Sequence, residues 1–235
     1  HLGVPQWNLI GASYGTRAAL EYMRLFPQKV RRTVIDGVAP PDMVLPVSFS
    51  MDGQAALEAL FKACEADTKG RAACATQFPK LRQQWRELLN SLPRPVSVNH
   101  PITGTAENFE LSRSALLRLI RAPLYAPALA SALPAAIDAA ASGNFSGLVG
   151  LSGSLGNRKT NRLAMGMHFA VVCAEDAPGI ASATQMPSED FGQMDALQYG
   201  SVCAFWPRGQ VPQAFYTLPP ATSPVLLLSG GADPA

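Results

Sequence analysis

The sequence predicts an α/β protein whose parallel sheet is built from both ends of the chain. The start of the chain predicts a strand–helix–strand unit, with an apolar run at 7–11, a helical pattern at 15–26 and a second apolar run at 30–38. Such a unit requires parallel strands. The continuous apolar run at 224–230 (PVLLLSG) is typical of a parallel strand that is buried on both faces. Between these two parts the sequence reads as mostly helical.

We therefore expect a sheet core in two parts, at 1–40 and 206–235, interrupted by a helical cap at 41–205. Insertions after parallel strands lie over the carboxyl edge of the sheet, where they control access to a site. Within the cap we expect helices at 49–66, 72–92 (two, interrupted at Pro79), 112–121 (capped by Ser112), 127–141 and 162–173, a hairpin that pairs 96–98 with 109–111, and a loop at 178–193.

The composition is that of a globular protein with no strong electrostatic preference. Of the 235 residues, 48% are hydrophobic and 15% are charged, and the net charge is +2. No basic cluster is larger than Arg31-Arg32 or Arg158-Lys159, which argues against a nucleic-acid partner. No uninterrupted apolar stretch reaches the length of a membrane span.

Residues 11–15 (GASYG) carry the pattern Gly-x-Ser-x-Gly between the first predicted strand and the first predicted helix. On such a turn the Ser13 hydroxyl stands clear of the backbone, where a base and a substrate can both reach it. We expect Gly11 and Gly15 to remove side chains that would collide where strand and helix approach closely. The pentapeptide alone is weak evidence, since it arises by chance in roughly one chain of this length in ten. Its position between a strand and a helix is what predicts a nucleophilic serine.

A nucleophilic serine needs a base and an acid that orients the base, and in this arrangement the acid precedes the histidine in the chain. Asp233 follows the last predicted strand in a Gly-Gly-Ala-Asp-Pro turn, which would display it at the carboxyl edge of the sheet. The alternative is an ordinary turn aspartate before proline. Asp36, at the end of the second predicted strand, is the rival acid, but position favours Asp233.

The histidine of such a triad is not evident. His1 precedes the serine, His100 lies in an Asn-His-Pro turn, and His168 lies in an apolar helix, where a packed histidine is the simpler interpretation. No histidine follows Asp233. Both ends of the sequence fall inside predicted structural elements. We therefore expect an internal piece of a longer protein, with the base beyond Ala235.

The four cysteines, Cys64, Cys74, Cys173 and Cys203, form no Cys-x-x-Cys pair and have no histidine at zinc spacing, which argues against a metal site. Their even number fits two disulfides, Cys64–Cys74 and Cys173–Cys203, although three connectivities are possible and four buried thiols are the alternative. Two disulfides would place the protein in an oxidising compartment.

Several separated motifs resemble the prolyl aminopeptidase and tripeptidyl aminopeptidase branch of the α/β-hydrolases, in the order that this family uses. They are LIGASYGTR at 9–17 with EYMR at 21–24 and Phe26-Pro27, VIDGV at 34–38 with Pro40-Pro41, VCAED at 172–176 with Cys203 and Trp206-Pro207, and PVLLLSGGADP at 224–234. The serine turn is common to many hydrolases, whereas the Cys-x-Glu-Asp segment and the terminal Asp-Pro are more discriminating. The resemblance implies an α/β-hydrolase core with a helical cap.

The resemblance also implies residue roles. Ser13 would be the nucleophile, Asp233 the triad acid, and the backbone N–H of Tyr14 one oxyanion donor. Glu175, with Asp176 beside it, would bind the free amine of a substrate. The implied enzyme is a serine aminopeptidase, of prolyl or tripeptidyl type, that needs no cofactor or metal. Many relatives are exported, which agrees with the cysteine pairing.

The family's upstream His-Gly-Gly-Pro oxyanion loop and its late histidine are missing from these residues, so we expect the 235 residues alone to be inactive. A carboxylesterase of the same fold is one alternative, because ester and amide cleavage share this machinery. A non-catalytic relative whose cap binds a partner is another.

Glu175 and Asp176 end an apolar helix, at the terminus where negative charge is disfavoured, so they need a cation. The cation is either the α-ammonium group of a substrate or an arginine such as Arg162 or Arg208.

Overall fold

The computed structural model describes residues 3–99, 103–156, 164–183 and 189–234, and the statements below concern these residues. The helices and strands in chain order are β1 (Trp7–Ala12), α1 (Tyr14–Leu25), β2 (Val30–Asp36), α2 (Leu45–Ala66), α3 (Cys74–Gln77), α4 (Leu81–Asn90), β3 (Arg94–Asn99), β4 (Ala106–Leu111), α5 (Arg113–Leu124), α6 (Pro127–Ala130), α7 (Leu133–Ala141), α8 (Ser146–Gly156), α9 (Met165–Glu175), α10 (Ala177–Ala183), α11 (Met194–Cys203) and β5 (Val225–Leu228). The chain is thus a mixed α/β protein, as its sequence predicts.

Three strands from the two ends of the chain form one parallel sheet in the order β1-β2-β5. The central strand β2 aligns Ile35 with Gly11 of β1 and with Leu227 of β5. Helix α1 packs on the face that carries Gly11 and Ile35, and Ile35 is only 3% exposed. The parallel sheet predicted from the two ends of the chain is therefore present.

The apolar run at 224–230 predicts a strand that is buried on both faces, and for the described part of the chain this prediction is wrong. Ile10, Val34 and Leu226 share the face opposite α1, and Ile10 is 84% and Leu226 56% exposed. An apolar run predicts a strand, but it carries no information about whether a second layer covers both faces of that strand.

The main hydrophobic core lies within the cap. It is formed by α2, α4, α5, α7, α8 and the antiparallel hairpin β3–β4, around buried side chains such as Leu57, Trp85, Leu116 and Ile137. The hairpin pairs Val96 with Phe109, as the sequence predicts. The Ser112 hydroxyl accepts a hydrogen bond from the Ala115 N–H at 3.2 Å, which confirms the predicted cap of α5.

Three predictions for the cap are wrong, and two of them involve proline. Helix α2 begins before Pro46, and α7 contains Pro134 in its first turn, where the missing N–H removes no intrahelical hydrogen bond. The predicted helix at 127–141 is therefore two helices. The predicted loop at 178–193 contains α10, whose Ile180 packs against Val47 and Ala196. Tertiary packing thus outweighs the loop-like composition there.

Both predicted disulfides are present. Cys64–Cys74 links α2 to α3, and Cys173–Cys203 links α9 to α11. These cross-links fit an oxidising, exported environment. Among the described residues, no helix combines the length and the apolar character that crossing a membrane requires.

Candidate active site

Ser13 occupies the turn between β1 and α1 in a strained backbone conformation. Its φ of 52° and ψ of −127° make it the only non-glycine residue with positive φ in the described part of the chain. Its N–H donates to the Asp36 carbonyl oxygen at 2.9 Å, which fixes the turn to the end of β2. The side chain is exposed. A strained, exposed serine held by the neighbouring strand is the geometry that a nucleophile on such a turn requires.

Thr16 braces this turn from within. Its hydroxyl donates to the Ser13 carbonyl at 2.6 Å and accepts from the Ala39 N–H at 2.9 Å, and the residue is fully buried. The hydroxyl therefore connects the turn after β1 to the loop after β2. This role was not predicted, because a threonine in the first turn of a helix is too common to be a signal.

The two glycines of the turn are not equivalent. A Cβ on Gly11 would lie 2.7 Å from the Gly15 carbonyl carbon, so a side chain there would collide with the backbone of α1. A Cβ on Gly15 would meet no described atom within 4 Å. The expectation that both glycines relieve a collision is thus correct for Gly11 and wrong for Gly15.

The carboxyl ends of the three parallel strands meet at a cavity of about 330 Å³. Ser13 follows β1, Asp36 ends β2 and Asp233 follows β5, and all three line the cavity together with Tyr14. A Cβ on Gly37 would lie 3.7 Å from Asp233 Oδ2, so this carboxylate sits beside the turn that ends β2. The structure brings the predicted nucleophile, the predicted acid and the rival acid to one cavity.

The cap supplies the opposite wall of this cavity through Met43, Leu45, Phe49 and Tyr125. No lysine, arginine or histidine is among the described residues that line it. The electrostatic character of the cavity is therefore set by carboxylates.

Asp52 lies one helical turn after Phe49 on α2 and is partly buried. Burial raises the pKa of Asp52, and the negative charge of Asp233 raises it further. Burial likewise raises the pKa of the Tyr125 hydroxyl, with smaller contributions from Asp233 and Asp52. Asp52 is thus a partly buried acid one helical turn from a residue that lines the cavity. It was not predicted as a site residue, because one aspartate in a helical pattern reads as a solvated position.

Glu175 and Asp176, at the end of α9, are paired with the buried side chain of Arg17. Arg17 Nη1 lies 3.0 Å from Glu175 Oε2 and 3.1 Å from Asp176 Oδ1. Arg17 Nη2 donates to the Pro40 and Met43 carbonyls at 3.0 and 2.9 Å. One arginine therefore joins the helix after Ser13 to the loop after β2 and to the end of α9.

The two acids differ in what else they contact. The Tyr14 hydroxyl donates to Glu175 Oε1 at 2.7 Å, and burial together with this carboxylate raises the pKa of Tyr14. The Leu45 N–H donates to Asp176 Oδ1 at 3.2 Å. Burial raises the pKa of Asp176, and Arg17 and the Leu45 amide offset part of that increase.

A cation expected near these acids is therefore present within the chain, and it is Arg17 and not Arg208. Arg162 lies outside the described residues. Both oxygens of Glu175 are bound by Tyr14 and Arg17, so an additional contact with a substrate amine stays a prediction.

His168 packs among aromatic side chains. Its Nε2 lies 2.8 Å from the Tyr199 hydroxyl, its ring packs edge-on against Phe169, and burial lowers its pKa. It does not line the cavity at Ser13. His1 and His100 lie outside the described residues.

Within the described ranges, no group of three or more His, Cys, Asp or Glu side chains is placed to hold a metal ion. Comparisons with known proteins give no family assignment, since the chain matches no protein-family model and shows no significant match to a curated protein. A functional proposal for this chain rests on its own sequence and geometry.

Proposed function

We propose that this chain carries the nucleophile and the acid of a serine hydrolase that cleaves peptide bonds near a free amino terminus. The observation that supports this most strongly is Ser13 itself. It has a strained, positive-φ conformation, lies at the carboxyl edge of a parallel sheet and shares a cavity with Asp233. Strain of this kind persists where the surrounding structure holds it for a function.

In the proposed mechanism, Ser13 Oγ attacks the carbonyl carbon of the scissile bond while a histidine takes the hydroxyl proton. Asp233 holds that imidazole in the correct tautomer and stabilises the imidazolium. The Tyr14 N–H, at the start of α1, donates to the oxyanion. Collapse of the tetrahedral intermediate releases the amine with the proton from the imidazolium, and water then hydrolyses the acyl-enzyme.

A substrate with a positively charged amino terminus fits the charge of the cavity, which has carboxylates and no described cation on its wall. A carboxylesterase would use the same Ser13 and Asp233 but would have no use for this negative charge. The two disulfides favour a periplasmic or secreted protein.

The first test is covalent labelling of the full-length protein with a fluorophosphonate, which reacts with activated serines. We expect one labelled peptide, containing residues 9–17. Ser13→Ala should abolish labelling and lower turnover on the order of 10⁶-fold, as removal of a triad nucleophile does. The control is Ser201→Ala, which removes an exposed hydroxyl on α11. Labelling at another serine, or retained turnover in Ser13→Ala, would refute the proposal.

A further inference from the structure

One helical turn after Phe49, a residue of the cap wall of the Ser13 cavity, α2 carries Asp52, a carboxylate whose counter-charge is not provided by the described residues. Asp52 makes no hydrogen bond or salt bridge with any described residue. The charged group that affects its pKa is Asp233, which carries the same charge and raises that pKa. Partial burial of a charged carboxylate costs free energy, and a cation bound to it would offset that cost. The position lies on the same face of α2 as Phe49, which lines the cavity.

The arginine that packs against this turn of α2 is already paired. Arg121 packs close to Gly53, the neighbour of Asp52, with its Cδ 3.3 Å from where a Cβ on that glycine would be. However, Arg121 Nη1 lies 2.9 Å from Asp195 Oδ2, and its guanidinium group stacks over the Phe49 ring at 5.1 Å. The charge of Arg121 is therefore offset by Asp195, and it leaves Asp52 uncompensated.

Asp52 differs in this respect from the other acids near the turn. Glu175 and Asp176 share Arg17, and Glu175 also accepts a hydrogen bond from Tyr14. In the proposed mechanism Asp233 faces the imidazolium. Asp52 is thus a carboxylate of the cap, one turn from a cavity-lining residue, to which no described residue supplies a cation.

We propose that Asp52 binds the α-ammonium group of the peptide substrate. This inference rests on the proposed function and names the residue that would select a free amino terminus. Because Asp52 lies one helical turn after Phe49, which lines the cavity together with Ser13, a peptide anchored at Asp52 would be cut close to its amino terminus.

The test measures how strongly the full-length enzyme prefers a free amine. The substrates are tri-alanine p-nitroanilide and its N-acetylated form, and the readout is the ratio of their kcat/KM values. In the wild type we expect a ratio of about 10 to 100, the lower part of the range for interactions of buried charges. In Asp52→Asn the ratio should fall close to 1, with the loss appearing on the free-amine peptide as an increase in KM.

Two further variants make the comparison specific. Glu110→Gln, on β4 of the hairpin, removes the same charge at an exposed position and should keep the wild-type ratio. Glu175→Gln should also keep the ratio, even if overall turnover falls through the lost contact with Tyr14. If the ratio collapses in Glu175→Gln and persists in Asp52→Asn, the amine site is at Glu175 and our inference is overturned.

A wild-type enzyme that labels at Ser13 but shows no preference for the free amine overturns the Asp52 inference while leaving the proposed hydrolase intact. If the fluorophosphonate does not label Ser13, the proposed hydrolase function is refuted. A binding measurement then tests the Asp52 inference independently of activity. Calorimetry with Ser13→Ala protein should show tighter binding of tri-alanine amide than of its acetylated form. That difference should disappear when Asp52→Asn is added, and its persistence would overturn the inference.

Discussion

Asp233 and Asp36 line the same cavity, and exchanging each carboxylate for an amide distinguishes their roles. Asp233→Asn should lower kcat about 10⁴-fold with little change in substrate binding, because an amide favours the wrong tautomer of the base. Asp36→Asn should have a much smaller effect on kcat, since its backbone carbonyl, which holds the Ser13 N–H, is unchanged. Steady-state kinetics on both variants makes the comparison, and the reverse pattern would move the acid to the end of β2.

The candidate residues that the sequence predicts are those whose role follows from local order along the chain. Ser13 and Asp233 each follow an apolar strand, and parallel strands bring their carboxyl ends together. Arg17, Thr16 and Asp52 could not be found in this way. Arg17 meets Glu175 across 158 residues of sequence, and Asp52 becomes distinctive only when its neighbours in space are known.

At the scale of the strand–helix turn, the two glycines allow a matched pair of substitutions. Gly11→Ala should destabilise the protein by about 1–3 kcal/mol, because the new Cβ meets backbone atoms of α1 that cannot move aside. Gly15→Ala should be neutral or stabilising by up to about 1 kcal/mol, since alanine is the better helix former and space is open there. Urea unfolding measures both, and equal losses would show that the second glycine has a role beyond packing.

Arg17 ties α1 to α9, and its removal should be far more costly than removal of a surface arginine. Arg17→Met leaves Glu175 and Asp176 without their cation, for an expected loss of about 3–5 kcal/mol in unfolding free energy. The control is Arg24→Met on the same helix, which breaks only the surface pair with Glu21 and should cost much less.

Neutralising the two acids in the Arg17→Met background, as Glu175→Gln with Asp176→Asn, should recover part of the lost stability. The reason is that the unpaired negative charges would then be gone. Chemical denaturation of the single and triple variants gives the comparison. A triple variant less stable than Arg17→Met would contradict this account of the cluster.

Secondary structure could be predicted where periodicity is strong, and less well where burial depends on distant elements. The hairpin, the Ser112 cap and the three sheet strands follow from local patterns. Helix α10 did not, because its helical state depends on Ile180 packing against the distant Val47. The exposure of Ile10 has the same origin, since an apolar strand is identified by its own residues but is buried only by its neighbours.

For the whole molecule, the two disulfides act on the cap. On the chain-entropy account, Cys64–Cys74 should contribute about 2–3 kcal/mol and the wider Cys173–Cys203 loop about 3.5 kcal/mol. Paired Cys→Ser variants at each bridge, followed by thermal unfolding, measure both contributions. Mass spectrometry of unreduced peptides from the native compartment should show both bridges, and four free thiols there would contradict both the stabilisation and the exported location.

Arg17 also limits whether the cap can be exchanged for the cap of another protein. Its guanidinium group contacts carbonyls of the loop that leads into the cap and carboxylates at positions 175 and 176, while its backbone belongs to the helix after the candidate nucleophile. The cap is therefore not an exchangeable module that can be cut out at 41 and 205. A chimera with a foreign cap would need two acids placed to pair with Arg17, or a neutral residue at position 17. Only then could the substrate specificity of the new cap be measured.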